Sequence, residues 1–191
     1  MIIVIISTIM LYYYQQLWVN LPKDKKMVEP RYQPILNADI PKVELRRLSK
    51  ENGECSIAPL DDGYIRIISG EFNNHKGPAL TFTDVNLWDI ALLKKEMDFE
   101  FEIAAGHNLL VFVRRGGVTV QGENLKLADV AIMNKEGTLL TLQATEDDTS
   151  VLILSGEPIN EPIAAHGPFV MNTEDELQQA FMDYRFGQNG F

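Results

Sequence analysis

Short apolar runs separated by turn residues fill the sequence after residue 63 and constrain its fold more than any other feature. Several short strands at this spacing, with glycine or acidic turns between them, are typical of a β-sandwich or jelly roll. The run at 98–103 alternates strictly between acidic and apolar residues, so Phe99, Phe101 and Ile103 are predicted to face a β core. The predicted strands span 64–68, 87–93, 98–103, 109–113, 118–121, 130–133, 138–144 and 151–154.

The last segment changes from the period of a strand to that of a helix. Thr173 followed by Glu176 is the sequence pattern of a capping box, and Gly187 is a stop signal. The fold class is therefore predicted to be all-β with one amphipathic C-terminal α-helix. The apolar positions of this helix are Leu177, Ala180, Phe181 and Tyr184.

The first residues form an uncharged apolar segment that spans 2–14. As a helix rising about 1.5 Å per residue, it would reach only about 20 Å of a roughly 30 Å hydrocarbon core. It also lacks the cationic start and the small-residue cleavage site of a secretory signal. Its β-branched and aromatic residues, with Tyr12, Tyr13, Tyr14 and nearby Trp18, favour a buried or interface strand. A start created by truncation or a frame change, and a membrane element, are the alternatives.

Charge and cysteine content narrow the class of protein. Seventeen basic and 27 acidic residues give a formal charge of −10, and no coherent basic face is evident, so direct nucleic-acid binding is disfavoured. Cys55 is the only cysteine, so no disulfide can form within the chain. A cytoplasmic location, with Cys55 as a reduced thiol, is expected.

Three segments of the chain resemble the pirin family. The segment 16–33, QLWVNLPKDKKMVEPRYQ, is similar to the bridge between the two barrels of that family, and 151–163, VLILSGEPINEPI, is similar to the end of its second barrel. The third segment, HGPFVMNTEDELQQAFMDY at 166–184, carries the family's C-terminal signature. The signature residues are His166, Gly167, Pro168, Phe169 and Asn172.

The resemblance implies a cupin-type jelly-roll barrel. Pirins are bicupins, and this chain is similar to their second barrel with the bridge and the signature. The predicted segments are an apolar N-terminal segment at 1–15, a strand and linker at 16–43, the barrel at 44–164, and the signature turn with the C-terminal helix at 165–191.

The resemblance also implies one iron or a similar divalent metal, held by three histidines and a glutamate in the first barrel. Those ligands precede the bridge in the family, and residues 1–15 contain no His, Asp, Glu or Cys. Aligning Gly117 and Gly137 with the cupin motifs places Leu110, Leu140 and the residues 103–106 at the ligand positions. No catalytic, cofactor-binding or metal-binding residue is therefore predicted in this chain, and no cofactor is expected.

The barrel interior is predicted to be a packed apolar core rather than a metal cup. His107 lies near the first cupin motif but is predicted to point away from the interior by strand parity. The predicted lining residues are Phe99, Phe101, Ile103, Leu110, Phe112, Ile132 and Leu140.

The other polar candidates have simpler explanations. His75, His107 and His166 are 32 and 59 residues apart and show no ligand spacing, so His75 is predicted in a polar loop and His166 at the signature turn. Glu100 and Glu102 share a strand face, where a solvated face explains them better than a catalytic pair. The glycines after Arg114-Arg115 form a turn rather than a phosphate loop.

Three functions stay open. The first hypothesis is a non-enzymatic or residual pirin-like protein that acts through protein contacts. The second is a metal-dependent oxidoreductase similar to quercetin 2,3-dioxygenase, and the third is a module that binds an apolar small molecule in the empty barrel. The helix and the residues 2–14 are expected to dock on the barrel or on a second copy of the chain. Binding of a protein partner by these segments is the alternative.

Overall fold

The computed structural model describes residues 2–8, 13–45, 48–51, 54–57, 63–96 and 98–190. These residues form two compact units. The barrel unit is Pro34–Pro158, and the terminal unit combines Met1–Gln33 with Ile159–Phe191. The four segments predicted from the sequence, with boundaries after residues 15, 43 and 164, stay a prediction.

The barrel unit is built from strands, and the all-β prediction is confirmed. Its strands, numbered after β1, Ile2–Thr8, and β2, Tyr13–Val19, of the terminal unit, are β3 Lys42–Glu44, β4 Leu48–Glu51, β5 Glu54–Ile57, β6 Gly63–Ser69, β7 Glu71–Phe72, β8 His75–Lys76, β9 Val85–Leu92, β10 Asp98–Glu102, β11 Asn108–Arg115, β12 Gly117–Val120, β13 Glu123–Lys126, β14 Val130–Ile132, β15 Leu139–Ala144 and β16 Thr149–Gly156. Six strands form one sheet in the order β14-β11-β16-β9-β6-β3, and four form a second in the order β10-β15-β12-β13. Two further pairs, β4–β5 and β7–β8, are separate hairpins.

An apolar core fills the barrel unit. Phe99 and Phe101 on β10 are buried while the acidic residues between and beside them are exposed, which is the alternation read from the sequence. Ile103 and Leu140, two more predicted lining residues, also belong to the core cluster. Branched aliphatic residues on β6, β9 and β16 complete the cluster, because a strand covered on both sides favours them.

The predicted face of β11 is wrong. Leu109, Val111 and Val113 are buried in the core, whereas Leu110 and Phe112 are half-buried on the opposite face of the sheet. The prediction placed Leu110 at an inward position by aligning a cupin motif that ends at Gly117, and in the structure Leu110 lies one residue away from the inward parity of β11. Because neighbouring residues of a strand face opposite sides, an alignment displaced by one residue reverses every assigned face.

Ile132 is a second correction to the predicted lining. It lies opposite Leu110 in the β11–β14 ladder, so it shares the outer face with Leu110. Its exposed fraction is 79%, because β14 is the edge strand of the six-stranded sheet.

The terminal unit contains two hairpins and the predicted helix. The apolar segment 2–14 forms β1, Ile2–Thr8, and enters β2, Tyr13–Val19, in an antiparallel pair; residues 9–12 of that segment, including Tyr12, lie outside the described residues. Trp18 on β2 is 48% exposed. The second hairpin pairs β17, Ala164–His166, with β18, Phe169–Met171.

Helix α1, Glu174–Phe186, begins and ends as predicted. The Thr173 side chain accepts a hydrogen bond from the Glu176 backbone N–H, and the Glu176 carboxylate accepts one from the Thr173 N–H. Gly187 ends the helix in the left-handed conformation at φ 62°, which glycine adopts without strain. Within the described ranges, no helix has the length and apolar character that crossing a membrane requires.

Candidate functional site

One end of the barrel unit holds a small cavity, named here the mouth cavity, of about 40 Å³. Its floor is apolar and its rim is polar. Strand ends and turns position these residues: Ile103 N–H donates to the Thr138 carbonyl at 2.8 Å, and Met133 N–H donates to the Leu109 carbonyl at 2.9 Å. The residues around the cavity are Ile103, Ala104, His107, Leu109, Gln121, Met133, Asn134, Lys135, Glu136, Gly137, Thr138, Leu139 and Leu140.

His107 is the imidazole of the mouth cavity, against the sequence prediction. It follows the tight turn at Gly106 (φ 77°) and has the same parity as Leu109, which faces the core. Its Nδ1 lies 3.1 Å from Ser155 Oγ, and Ser155 is 3% exposed. The motif alignment that placed Leu110 inward also placed His107 outward, so one error explains both corrections.

A buried charge network on the outer face of the six-stranded sheet escaped sequence analysis. Asp89, 4% exposed, contacts Arg66 at 3.2 Å and pairs closely with Arg114. Arg114 also donates to Ser150 Oγ at 2.7 Å, and Arg66 donates to Asn37 Oδ1 at 2.6 Å. The sequence contains an indication of this network, because Asp89 is the one charged residue in the apolar run 87–93 and a charge in a buried strand needs a partner.

Burial dominates the electrostatics of this network. It raises the pKa of Asp89, and the charges of Arg114 and Arg66 offset part of that rise. The Nε of Arg114 is buried and, within the described structure, has no hydrogen-bond partner. The network joins four strands, β6, β9, β11 and β16, and the Asn37 turn, and its charged groups are largely withdrawn from solvent.

The signature residue Asn172 is the centre of a second polar network, named here the clasp, with Lys23, Glu161, Thr173 and Glu176. The Asn172 amide donates to Glu161 Oε2 and to the Pro162 carbonyl, both at 3.0 Å. Lys23 N–H donates to the same Glu161 oxygen at 2.7 Å, and Lys23 Nζ lies 3.3 Å from Glu176 Oε1. The clasp thus connects the bridge segment to the start of α1.

Two backbone donors explain the acidity of Glu176. The N–H of Asn172 is the main cause that lowers the pKa of Glu176, and Lys23 and the Thr173 N–H act in the same direction. Hydrogen bonds to a carboxylate favour its ionised form. Glu176 therefore holds its charge at the positive end of the helix dipole.

The other signature residues form an aromatic cluster. Phe169 packs edge-to-face on Phe181 at 4.8 Å and on Tyr184 at 5.7 Å, and His166 packs on Phe181 at 5.5 Å. Gly167 turns the hairpin at φ 56° beside Pro168. Leu177 is buried, while Phe181 and Tyr184 are 38% and 64% exposed.

The comparisons with known proteins decide the family. A family model described as the pirin C-terminal cupin domain matches residues 87–190. The chain belongs to the pirin family. A protein of Pseudomonas aeruginosa named "Putative quercetin 2,3-dioxygenase" is 40% identical over 173 residues, 91% of this chain and 55% of that protein. Mouse pirin is 32% identical over 182 residues, 92% of this chain and 57% of its own length.

A solved structure supports the same fold. The crystal structure of quercetin 2,3-dioxygenase from Acinetobacter baumannii matches with a TM-score of 0.79 and 39% identity, over 92% of this chain and 56% of that one. The chain spans about half the length of the curated relatives it matches. The barrel unit is therefore a cupin barrel of the pirin family, as the resemblance implied.

The side chains of the barrel do not fit the metal that the pirin family implies. Among the ligand positions assigned from Gly137 and Gly117, Leu140 and Ile103 are buried in the apolar core and Leu110 lies on the outer face. In the part of the chain that the structure describes, no group of three or more His, Cys, Asp or Glu side chains could hold a metal ion. Iron requires imidazole or carboxylate donors, which these positions do not supply.

The remaining predicted residues are not brought together. His75 is exposed in the β7–β8 hairpin, where its Nδ1 lies 2.8 Å from the Asn73 carbonyl. Glu100 and Glu102 are exposed on β10. Cys55 lies on β5, but its side chain falls outside the described residues.

Proposed function

We propose that this chain is a pirin-type cupin without a redox metal of its own, and that it acts in the cytoplasm through protein contacts. The observation that carries the proposal is the apolar character of the barrel positions where a metal-binding cupin has its ligands. Ile103 and Leu140 are 7% and 1% exposed within the core. A hydrocarbon side chain offers no lone pair to a metal, so such a core stabilises the barrel instead.

Exposed apolar residues support the choice of protein contacts. On α1 the side chains of Met182 and Phe186, which are four residues apart and share a helix face, are 49% and 61% exposed. On the N-terminal hairpin, β1 pairs with β2 and with no other of the described strands, and we propose its second edge as an association edge. Grouped apolar side chains and open edges are typical of association surfaces. Self-association through 2–14 and α1 is the form of contact that we propose.

Elemental analysis of the pure chain tests the first part of this proposal. The chain is expressed in iron-supplemented medium and purified without chelator, beside the Acinetobacter baumannii quercetin 2,3-dioxygenase as a positive control. We expect iron, nickel and copper far below one atom per chain, and no loss of quercetin beyond that seen with boiled protein. One tightly bound metal per chain, or quercetin turnover, would overturn it.

Light scattering over a range of concentrations tests the second part. We expect the mass to rise with concentration, and Phe186→Ser to weaken the association. Gln178→Ser is the matched control, because residue 178 is an exposed polar position on the same helix. A mass that stays monomeric at every concentration would contradict self-association.

The alternative is an oxidoreductase similar to quercetin 2,3-dioxygenase. It is favoured by the names of two similar proteins, whose own lengths are nearly twice the matched region. Oxygenation of a flavonol needs a metal with open coordination positions. Quercetin turnover that depends on added iron would make this the better reading.

A flavonol-sized ligand inside the barrel receives little support. The mouth cavity measures about 40 Å³. Benzene alone binds in an engineered cavity of about 150 Å³. The barrel interior is otherwise filled by the side chains of its core.

A further inference from the structure

We propose that the mouth cavity is a binding site for a small monocarboxylate, whose carboxylate is held by His107 and Lys135. The inference concerns the end of the barrel and is independent of the proposed protein contacts. Three observations carry it: the orientation of the imidazole, the charges on the rim, and the size and apolar floor of the cavity.

The hydrogen bond to Ser155 orients the imidazole. Ser155 Oγ lies 3.1 Å from His107 Nδ1, and Ser155 is buried and is not among the residues that line the cavity. The second ring nitrogen, Nε2, is on the other side of the ring and is the one left for a ligand. We assign the Ser155 hydroxyl as the donor to Nδ1, so that the neutral imidazole carries its proton on Nε2. The cavity then presents a donor, which requires an acceptor such as a carboxylate oxygen.

Lys135 supplies the charge that a carboxylate needs. The β11–β14 ladder pairs Leu110 with Ile132, and Met133 N–H bonds the Leu109 carbonyl. Lys135 lies in the bend after the end of β14, and it lines the cavity together with His107. Glu136 also lines it and would repel an anion, so a carboxylate is predicted to depend strongly on Lys135.

The floor limits the rest of the ligand. Ile103, Leu109 and Leu140 are apolar and buried, which suits a short alkyl group rather than a second charge. A volume of about 40 Å³ leaves room for only a few heavy atoms. Acetate is therefore the natural probe, and benzoate, whose ring needs about 150 Å³ by the benzene precedent, is the size control.

Histidine NMR on the full chain provides the test. Sodium acetate is titrated against sodium chloride at equal ionic strength while the ring signals of His107 and His75 are followed. His75 is the internal reference because it belongs to the same unit and is exposed on another hairpin. We expect a saturable shift of His107 with acetate, and no matching shift of His75 or with benzoate. Equal shifts of the two histidines, or a linear response, would overturn the site.

Rim variants distinguish a carboxylate site from a neutral pocket. Lys135→Ala is expected to weaken acetate binding roughly two- to fivefold, the range of a partly solvated ion pair. Glu136→Gln is expected to strengthen it, and Lys126→Ala, at an exposed position on β13, is the matched control and should leave it unchanged. All three substitutions fall on exposed residues, so folding should be preserved. Unchanged binding in Lys135→Ala would overturn the assignment to a carboxylate.

Discussion

The barrel unit and the terminal unit are stabilised in different ways. Large apolar side chains from both sheets fill the barrel, and the buried Asp89 of this unit lies on the outer face of the six-stranded sheet. In the terminal unit few apolar side chains are buried, and Asn172 and Asp183 are buried among them. The hydrogen bonds of the clasp, which includes the capping box, connect the segments of this unit. A core held by apolar area depends on volume, whereas a clasp depends on single hydrogen-bonding atoms.

The largest effect should come from the barrel core. Phe101→Ala is expected to lower the free energy of unfolding by about 3–5 kcal/mol, because it leaves a cavity at a fully buried site. Phe112→Ala is the matched control, since the same side chain is only half-buried on the outer face of β11. Urea unfolding should be followed by Trp88 fluorescence in a Trp18→Phe background, because Trp88 is 2% exposed in this core. An equal loss in both variants would remove the distinction between the two faces.

Phe101 and Phe112 also show which side-chain positions can be predicted from the sequence. The face of Phe101 follows from local alternation, because every second residue of β10 is acidic. The face of Phe112 follows from the position of β11 between β14 and β16, and both of these pairings join residues that are distant in sequence. Local patterns therefore predicted the strands, α1 and its cap, whereas the cavity role of His107 required the pairing of strands to be known.

The charge network should give the next largest effect. Arg114→Met is expected to lower the free energy of unfolding by about 1.5–3 kcal/mol, the range for a hydrogen bond to a charged group. Arg115→Met is the matched control, because Arg115 is exposed and donates to the Asp148 carbonyl instead. Urea unfolding at neutral pH measures both. If the two substitutions lower the free energy of unfolding equally, the buried network does not stabilise the barrel unit more than an exposed arginine does.

The pH dependence of Arg114→Met sharpens this result. Burial raises the pKa of Asp89 above 3.8, and losing Arg114 should raise it further. The folded state then binds more protons than the unfolded state over a wider range, so stability falls as pH rises through that range. The loss of unfolding free energy caused by Arg114→Met should therefore be smallest in acid and should grow toward neutral pH.

The clasp contains features that the sequence could and could not reveal. The capping box of Thr173 and Glu176 is a local pattern and was predicted. The resemblance identified Asn172 as a signature residue, but its bonds to Glu161 and Pro162 span 11 and 10 residues and follow only from the fold. The bond from Lys23 to Glu161 spans 138 residues, which no local pattern reports.

A smaller effect is expected at the helix cap. Thr173→Ala should destabilise α1 by about 1 kcal/mol, since the Glu176 N–H loses its side-chain acceptor. Thr173→Ser keeps the hydroxyl and is the control. Amide hydrogen exchange along α1 measures the change in the terminal unit directly. Unaltered exchange in Thr173→Ala would show that apolar contacts, rather than the cap, hold the helix.

The smallest effect should be the acid sensitivity of the clasp. Because the folded-state pKa of Glu176 is lowered from 4.5, its stabilising contribution is complete above 4.5 and is lost as pH falls through the lowered value. Glu176→Gln removes the ionisation but keeps the side-chain length, so the protection of the α1 amides, relative to their intrinsic exchange rate at each pH, should lose its acid dependence. Glu174→Gln, at an exposed position in the same turn, is the control and should retain it. If both variants keep the same acid response, another carboxylate controls the helix start, and Glu161, which accepts from both Asn172 and Lys23, is the next group to substitute.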